Sequence, residues 1–182
     1  MQKKLFSFFL SILICISIFT QLPLTAFADR DSNSYDGNIF ALYAGNGAIV
    51  PPSTSLEVAI KEKRPILLAF YLDDNSASKR FAPLLSDLQS RWGKDVELIA
   101  LSSDPYSVDP KAPITSPSHY WNGYVPHVVV IDSNSMILYN SQGDMTETEI
   151  ETALAKATGR SIDDLPRSSQ SFNEYNSEFR SK

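Results

Sequence analysis

Apolar and polar positions alternate in blocks whose spacing changes along the chain. Leu5 to Phe19 form an almost continuous apolar block, and a polar, acidic stretch runs from Asp29 to Tyr35. The island Ile39-Phe40-Ala41-Leu42-Tyr43, closed by Gly45-Asn46-Gly47 and Pro51-Pro52, predicts a short strand or docked extension followed by a turn. Thr54 with Glu57 has capping-box spacing and opens a short helix carrying Leu56, Ala59 and Ile60 up to Lys63. After Pro65 the run Ile66 to Leu72 is apolar without interruption, as expected for a strand covered on both faces. Asp73-Asp74-Asn75-Ser76 breaks it. Phe81, Leu84, Leu85, Leu88 and Trp92 then recur at steps of three and four, the signature of one helix face, with Gly93 as its end and Pro83 predicting a kink inside it.

Val96 to Leu101 reads as a second strand, so strand, helix and strand form a parallel βαβ unit with a right-handed crossover. Residues 102 to 124 are rich in Pro, Ser and Tyr and cannot hold a long helix. Val128 to Ile131 and Met136 to Tyr139 flank Asp132-Ser133-Asn134-Ser135 and predict an antiparallel hairpin. Thr146 with Glu149 is a second capping box, leading a helix through Ile150, Ala153, Leu154 and Ala157 to Gly159. The expected architecture is α/β: three layers, with a central mixed sheet flanked by helices.

Composition narrows the function. The 182 residues hold 16 Lys plus Arg against 21 Asp plus Glu, and taking Lys3 and Lys4 away with the first block leaves 14 basic residues against all 21 acidic ones. A nucleic-acid partner held by a basic field is thereby excluded. Lys3 and Lys4, the apolar block and Ala26-Phe27-Ala28 read as a secretory signal cleaved before Asp29, with an N-terminal membrane anchor as the alternative use of residues 1–28. The domain reading is an extension at 29–52, the folded unit at 53–160 and a polar tail at 161–182. The one cysteine, Cys15, lies in the first block, so the rest of the chain can form neither a disulfide nor a cysteine metal site. No cofactor is expected.

The local residues add detail. The order of elements resembles the thioredoxin fold, and so do particular residues. Phe70 to Lys79 stands where thioredoxins carry an aromatic strand end and then Cys-Gly-Pro-Cys-Lys; Phe81-Ala82-Pro83-Leu84-Leu85 resembles their kinked helix; Gly123-Tyr124-Val125-Pro126 resembles the segment bearing their cis-proline. Asn75 and Ser78 occupy the two cysteine positions, and Ala69 stands where the family places a buried aspartate. Thiol exchange needs a thiolate, which neither an amide nor a hydroxyl supplies, and no base is placed to activate Ser78 as a nucleophile.

Outside that core, Tyr35 to Gly47 with Val50-Pro51-Pro52, the Tyr124-Val125-Pro126 segment, and the tail from Leu165 through Phe172 and Tyr175 resemble the cyanobacterial thylakoid membrane photosystem I accumulation factors. The resemblance implies an exported, redox-inactive thioredoxin-like protein at the thylakoid membrane, on the lumenal side, with a photosystem I subunit or assembly factor as partner. Without it the residues leave open a general exported peptide-binding or chaperone-like module, and a thiol-disulfide enzyme ranks below both. The fold resemblance implies a partner-binding surface of Asp74, Asn75, Ser76, Ala77 and Ser78 with Tyr124, Val125 and Pro126, and a cis bond before Pro126. Asp73 and Asp74 read as a solvated cap for the following helix rather than a catalytic pair. His119 and His127 read as loop and surface histidines rather than metal ligands. Tyr106, Tyr120, Trp121 and Tyr124 read equally as a recognition surface or as packing of the long connection. Phe172 and Tyr175 read as docking the tail on its own domain.

Overall fold

The computed structural model describes residues 29–165. The signal or anchor at 1–28 with Cys15, and the tail residues Phe172 and Tyr175, lie outside them. The element order is α1 (Ile39–Ala44), a 3-10 turn (Gly47–Ile49), α2 (Leu56–Lys61), β1 (Ile66–Tyr71), α3 (Ser76–Trp92), β2 (Glu97–Ser102), α4 (Pro117–Tyr120), β3 (His127–Ile131), β4 (Ile137–Gln142), α5 (Glu147–Thr158) and a second 3-10 turn (Ile162–Asp164).

The four strands form one sheet in the order β2-β1-β3-β4. β1 and β2 run parallel with Leu68 beside Ile99, β1 and β3 antiparallel with Leu68 beside Val129, and β3 and β4 antiparallel. Every residue of β1 is buried, as its unbroken apolar run requires. Alternate residues serve opposite faces: Leu67, Ala69, Tyr71, Val128 and Val130 pack under α1, α3 and α5, whereas Ile66, Leu68, Phe70, Val129 and Ile131 pack against Leu56, Ala59, Tyr120 and Trp121. These are the three expected layers.

Local chemistry explains most boundaries, and it corrects several expectations. The island at 39–43 is a helix, not a strand. Asn38 accepts hydrogen bonds from the backbone N–H groups of Phe40 and Ala41, Gly45 closes the helix in the left-handed region, and Ile39 and Phe40 are buried against α3 and the sheet. The helix expected from Thr54 begins one residue later, because Ser55 supplies the cap by accepting from Val58 N–H at 3.2 Å; Glu57 pairs with Lys61 instead of closing a box. The Thr146–Glu149 capping box forms in full. α3 runs through Pro83 as one element and ends at Gly93, where a Cβ would meet the Gln89 carbonyl oxygen at 2.6 Å. β4 starts one residue later and runs three further than expected; Asp132 Oδ1 accepts from the N–H groups of both Asn134 and Met136 and so extends the turn.

Candidate functional site

The start of α3 and the loop before β3 approach each other at one end of the sheet. The Val125–Pro126 bond is cis, as expected, and so is Val50–Pro51. Ala77 on the first turn of α3 and Pro126 together line a cleft of about 160 Å³, completed by Arg80, Phe81, Leu84, Gly143, Asp144 and Met145. The Pro126 carbonyl accepts from Gly143 N–H at 2.8 Å, which continues the β3–β4 ladder into the cleft's far wall.

The eight residues expected at the partner surface do not all face it. Asp74 is exposed and Tyr124 is 63% exposed, while Val125 is half-buried against the core face of Phe70, Tyr120 and Trp121. Asn75 is the helix cap, accepting from Ser78 N–H at 2.9 Å. Ser78 is wholly buried and accepts from Leu72 N–H at 3.3 Å, so it ties β1 to α3 and is withdrawn from the surface. Ser76 N–H is not available to a partner: it is bound to Asn33 Oδ1 at 2.8 Å. Asp73 and Asp74 do not cap α3: Asp73 Oδ1 accepts from Ile39 N–H at 3.1 Å and so anchors α1, and burial pushes its carboxyl above the usual range, with Asp74 and Asp104 adding repulsion.

The most distinctive group is one the local pattern did not reveal. Lys79, the residue after the second position of the lost motif, is completely buried. Its ammonium donates to the Asp29 and Ser32 carbonyls at 3.0 and 3.1 Å and to the Asp36 carboxylate, and it lies 5.7 Å from the centre of the Tyr43 ring. Burial opposes the charge, but the Asp36 bond and attraction outweigh it and hold the ammonium above its ordinary value; Lys79 in turn holds Asp36 below the usual carboxylate range, helped by Tyr43. Residues 29–44 are thus strapped across one flank of the α3 start. The other flank, toward Pro126, is where the cleft lies.

Three of the four aromatic residues of the long connection pack inward: Tyr120 and Trp121 are buried and Tyr106 meets Phe70 edge-on at 6.0 Å. Only Tyr124 points out. His127 is not a surface residue; it is fully buried at the start of β3, stacked on Phe70 at 5.5 Å, with Nε2 2.7 Å from Asn140 Oδ1. His119 sits on α4 against the Ala112 carbonyl. A larger cavity of about 540 Å³, lined by Pro51, Pro52, Thr54, Leu101, Tyr106 and Thr115 among others, lies on the α2 side of the sheet, away from the α3 start. Among the described residues no three His, Cys, Asp or Glu side chains cluster as metal ligands, and no helix is long and apolar enough to cross a membrane.

Sheet order, the α3 crossover from β1 to a parallel β2, and a cis-proline directly before β3 define a thioredoxin-like domain, one whose two reactive positions hold an amide and a hydroxyl instead of thiols. No protein-family model matches the chain. The chain is 33% identical over 160 residues to thylakoid membrane protein slr1796 of Synechocystis sp. (strain ATCC 27184 / PCC 6803 / Kazusa), an alignment covering 85% of this chain and 78% of that protein, and it belongs to that protein's family. Solved structures similar in part include the pneumococcal exposed lipoprotein thioredoxin Etrx1 from Streptococcus pneumoniae strain TIGR4, at 15% identity over 53% of this chain and 89% of that one with a TM-score of 0.41. A structure described as that of a malarial protein matches at 15% identity over 52% of this chain and 97% of that one, TM-score 0.40.

Proposed function

We propose that this protein is a non-enzymatic, redox-inactive factor of the thylakoid membrane, on the lumenal side, that supports photosystem I accumulation by holding a photosystem subunit or assembly partner at the α3–Pro126 cleft. The observation that carries the reading is the cleft itself: Ala77 and Pro126 form a recess at the place where a thioredoxin keeps its reactive pair, yet Asn75 and Ser78 are committed to capping and to β1. A recess with no thiol can bind but cannot exchange disulfides. Ala69, buried on the face beneath α3, supplies no carboxylate to manage a proton there. The thylakoid location is supported by the name of the Synechocystis relative, and the photosystem role by the resemblance of the Tyr35–Pro52 extension and the tail from Leu165 to the accumulation factors.

Deleting the gene tests this. The photosystem I level should fall while transcripts of its subunits stay unchanged, and a copy carrying Tyr124→Glu and Ala77→Arg should fold normally but fail to restore the level. An unchanged level in the deletion strain defeats the assignment; full restoration by the double variant moves the contact to the extension or the tail. Insulin reduction should not exceed a no-enzyme control.

A further inference from the structure

The loop that carries Tyr124, Val125 and Pro126 leads directly into His127, whose environment is unusual. The ring is completely buried, stacked on Phe70 with an interplanar angle of 14° and tilted against Trp121 at 6.1 Å. The amide oxygen of Asn140 at 2.7 Å places the imidazole proton on Nε2. Nδ1 is then a bare lone pair, buried and without a hydrogen-bond partner. The groups around it come from three directions: Phe70 on β1, Trp121 in the loop with Tyr106 and Tyr120 beyond, and Asn140 with Gln142 on β4. The ionisable ones are phenols, Tyr106 and Tyr120, both held above their ordinary values by burial and so uncharged near neutral pH. Neither a carboxylate nor an ammonium contributes to the balance at His127, which burial tips toward the neutral form against the opposing Asn140 bond.

A neutral ring fits this cage and a charged one does not. The imidazolium carries an N–H on each nitrogen, and the one on Nδ1 finds no acceptor there; the aromatic faces return some attraction but not a hydrogen bond. Protonation can be satisfied only if the cage opens to water. The wall able to move is the loop, since Phe70 sits on the central strand paired on both sides while Asn122 to Tyr124 lie outside regular structure.

We infer that His127 is a proton-operated latch on the recognition loop: neutral, it keeps Trp121 and Val125 packed on the sheet and Pro126 fixed in the cleft wall, and protonated, it loosens the loop and with it Pro126. As a control on partner binding this rests on the function proposed above; as a change in the loop it stands apart from it. The sign is fixed by linkage. The folded value lies below the unfolded one, near 6.5, so the packed loop is fully stable above that pH and loses stability as pH falls through it toward the folded value.

The chain holds two histidines, which makes the test clean. Amide hydrogen exchange is measured by mass spectrometry on the full chain in detergent, corrected for the intrinsic effect of pH. Between about pH 7.5 and about pH 5.5 exchange over residues 121–126 should rise roughly three- to tenfold, while β1 stays protected. His127→Phe, which keeps a stacked ring and cannot titrate, should abolish the rise, and His119→Asn should leave it intact. A rise that survives in His127→Phe, or no rise in the natural chain, overturns the latch. Should His127→Phe not fold, an NMR titration of the natural chain decides instead: the His127 ring and the 122–124 amides must change together below the ordinary histidine value, and a ring that titrates at the ordinary value with those amides still overturns it. Tyr124→Glu should keep the pH-dependent rise, so a failure of the photosystem assignment leaves a different signature from a failure of the latch.

Discussion

The two flanks of the α3 start are built on opposite principles. On one, residues 29–44 lie across the helix and its buried polar groups are tied to the chain: Asn33 takes Ser76 N–H, Asp73 takes Ile39 N–H, and the buried Lys79 gathers two carbonyls and the Asp36 carboxylate. On the other, Ala77 and Pro126 face a recess of about 160 Å³ whose rim carries Arg80, Asp144 and Met145. A buried ammonium cannot be left without acceptors, so the first flank has to be sealed by its own chain, and burial of Phe40 edge-on against Tyr71 at 4.9 Å locks the strap further. Sealing one side leaves the other as the place where a second polypeptide can reach the helix start. The difference teaches that an end of the fold without cysteines need not be empty: here one of its flanks is closed by the chain's own polar contacts.

Damage to the sealed flank should therefore cost stability, and damage to the open flank should cost recognition. The largest effect is expected from Phe40→Ala, which removes a ring 1% exposed and should lower unfolding free energy by about 3–5 kcal/mol, read from urea denaturation. Lys79→Met comes next: it leaves Asp36 without its cation and should lower the denaturation midpoint clearly, whereas Arg80→Met, whose pairing with Asp31 is exposed, should barely move it. Equal effects of the two would dissolve the contrast between a buried clasp and a surface pair.

Acid provides a milder probe of the same clasp. Because Lys79 holds Asp36 below its unfolded value of about 3.8, the stability from this pair is present above that pH and lost as pH falls further through the folded value. An Asp36→Asn variant should start less stable at neutral pH and show a shallower acid limb. Tyr71 probes the alkaline end: burial first, then Asp73, pushes its phenol up to about 12, so stability is intact below pH 10 and drains away between there and about 12, and Tyr71→Phe should flatten that limb. The smallest stability effect belongs to the exposed loop that leads into Pro126 on the open flank. Tyr124→Glu, at a side chain 63% exposed, should leave the midpoint within error while weakening partner capture from solubilised thylakoids. A Tyr124→Glu variant that keeps its midpoint and binds normally would show that the open flank is not the recognition face.

Much of the fold was legible in the residues because the controlling physics is short-ranged. The unbroken run after Pro65 made β1, the three-four spacing of Phe81, Leu85, Leu88 and Trp92 made the buried face of α3, and the Thr146–Glu149 box made the start of α5, each from groups within a few residues of one another. The site was legible only as a place. Pro126 and Ala77 could be expected together from the resemblance to thioredoxins, but the cleft also needs Gly143, Asp144 and Met145, which nothing local connects to α3.

What tertiary structure alone decided is where polar groups go once water is excluded. Ile39 to Tyr43 has a strand's apolarity yet folds as a helix, because Asn38 caps it and α3 offers it a face. His127 follows a proline and begins a strand, which says nothing of the Phe70 and Trp121 rings that close over it. Lys79 is the sharpest case. A lysine on an apolar helix face ordinarily reaches for solvent, and only acceptors 43 to 50 residues earlier in the chain make its burial possible. Periodicity and capping belong to neighbours in sequence and can be read from them; satisfying a buried charge belongs to neighbours in space, which exist only after the chain has folded.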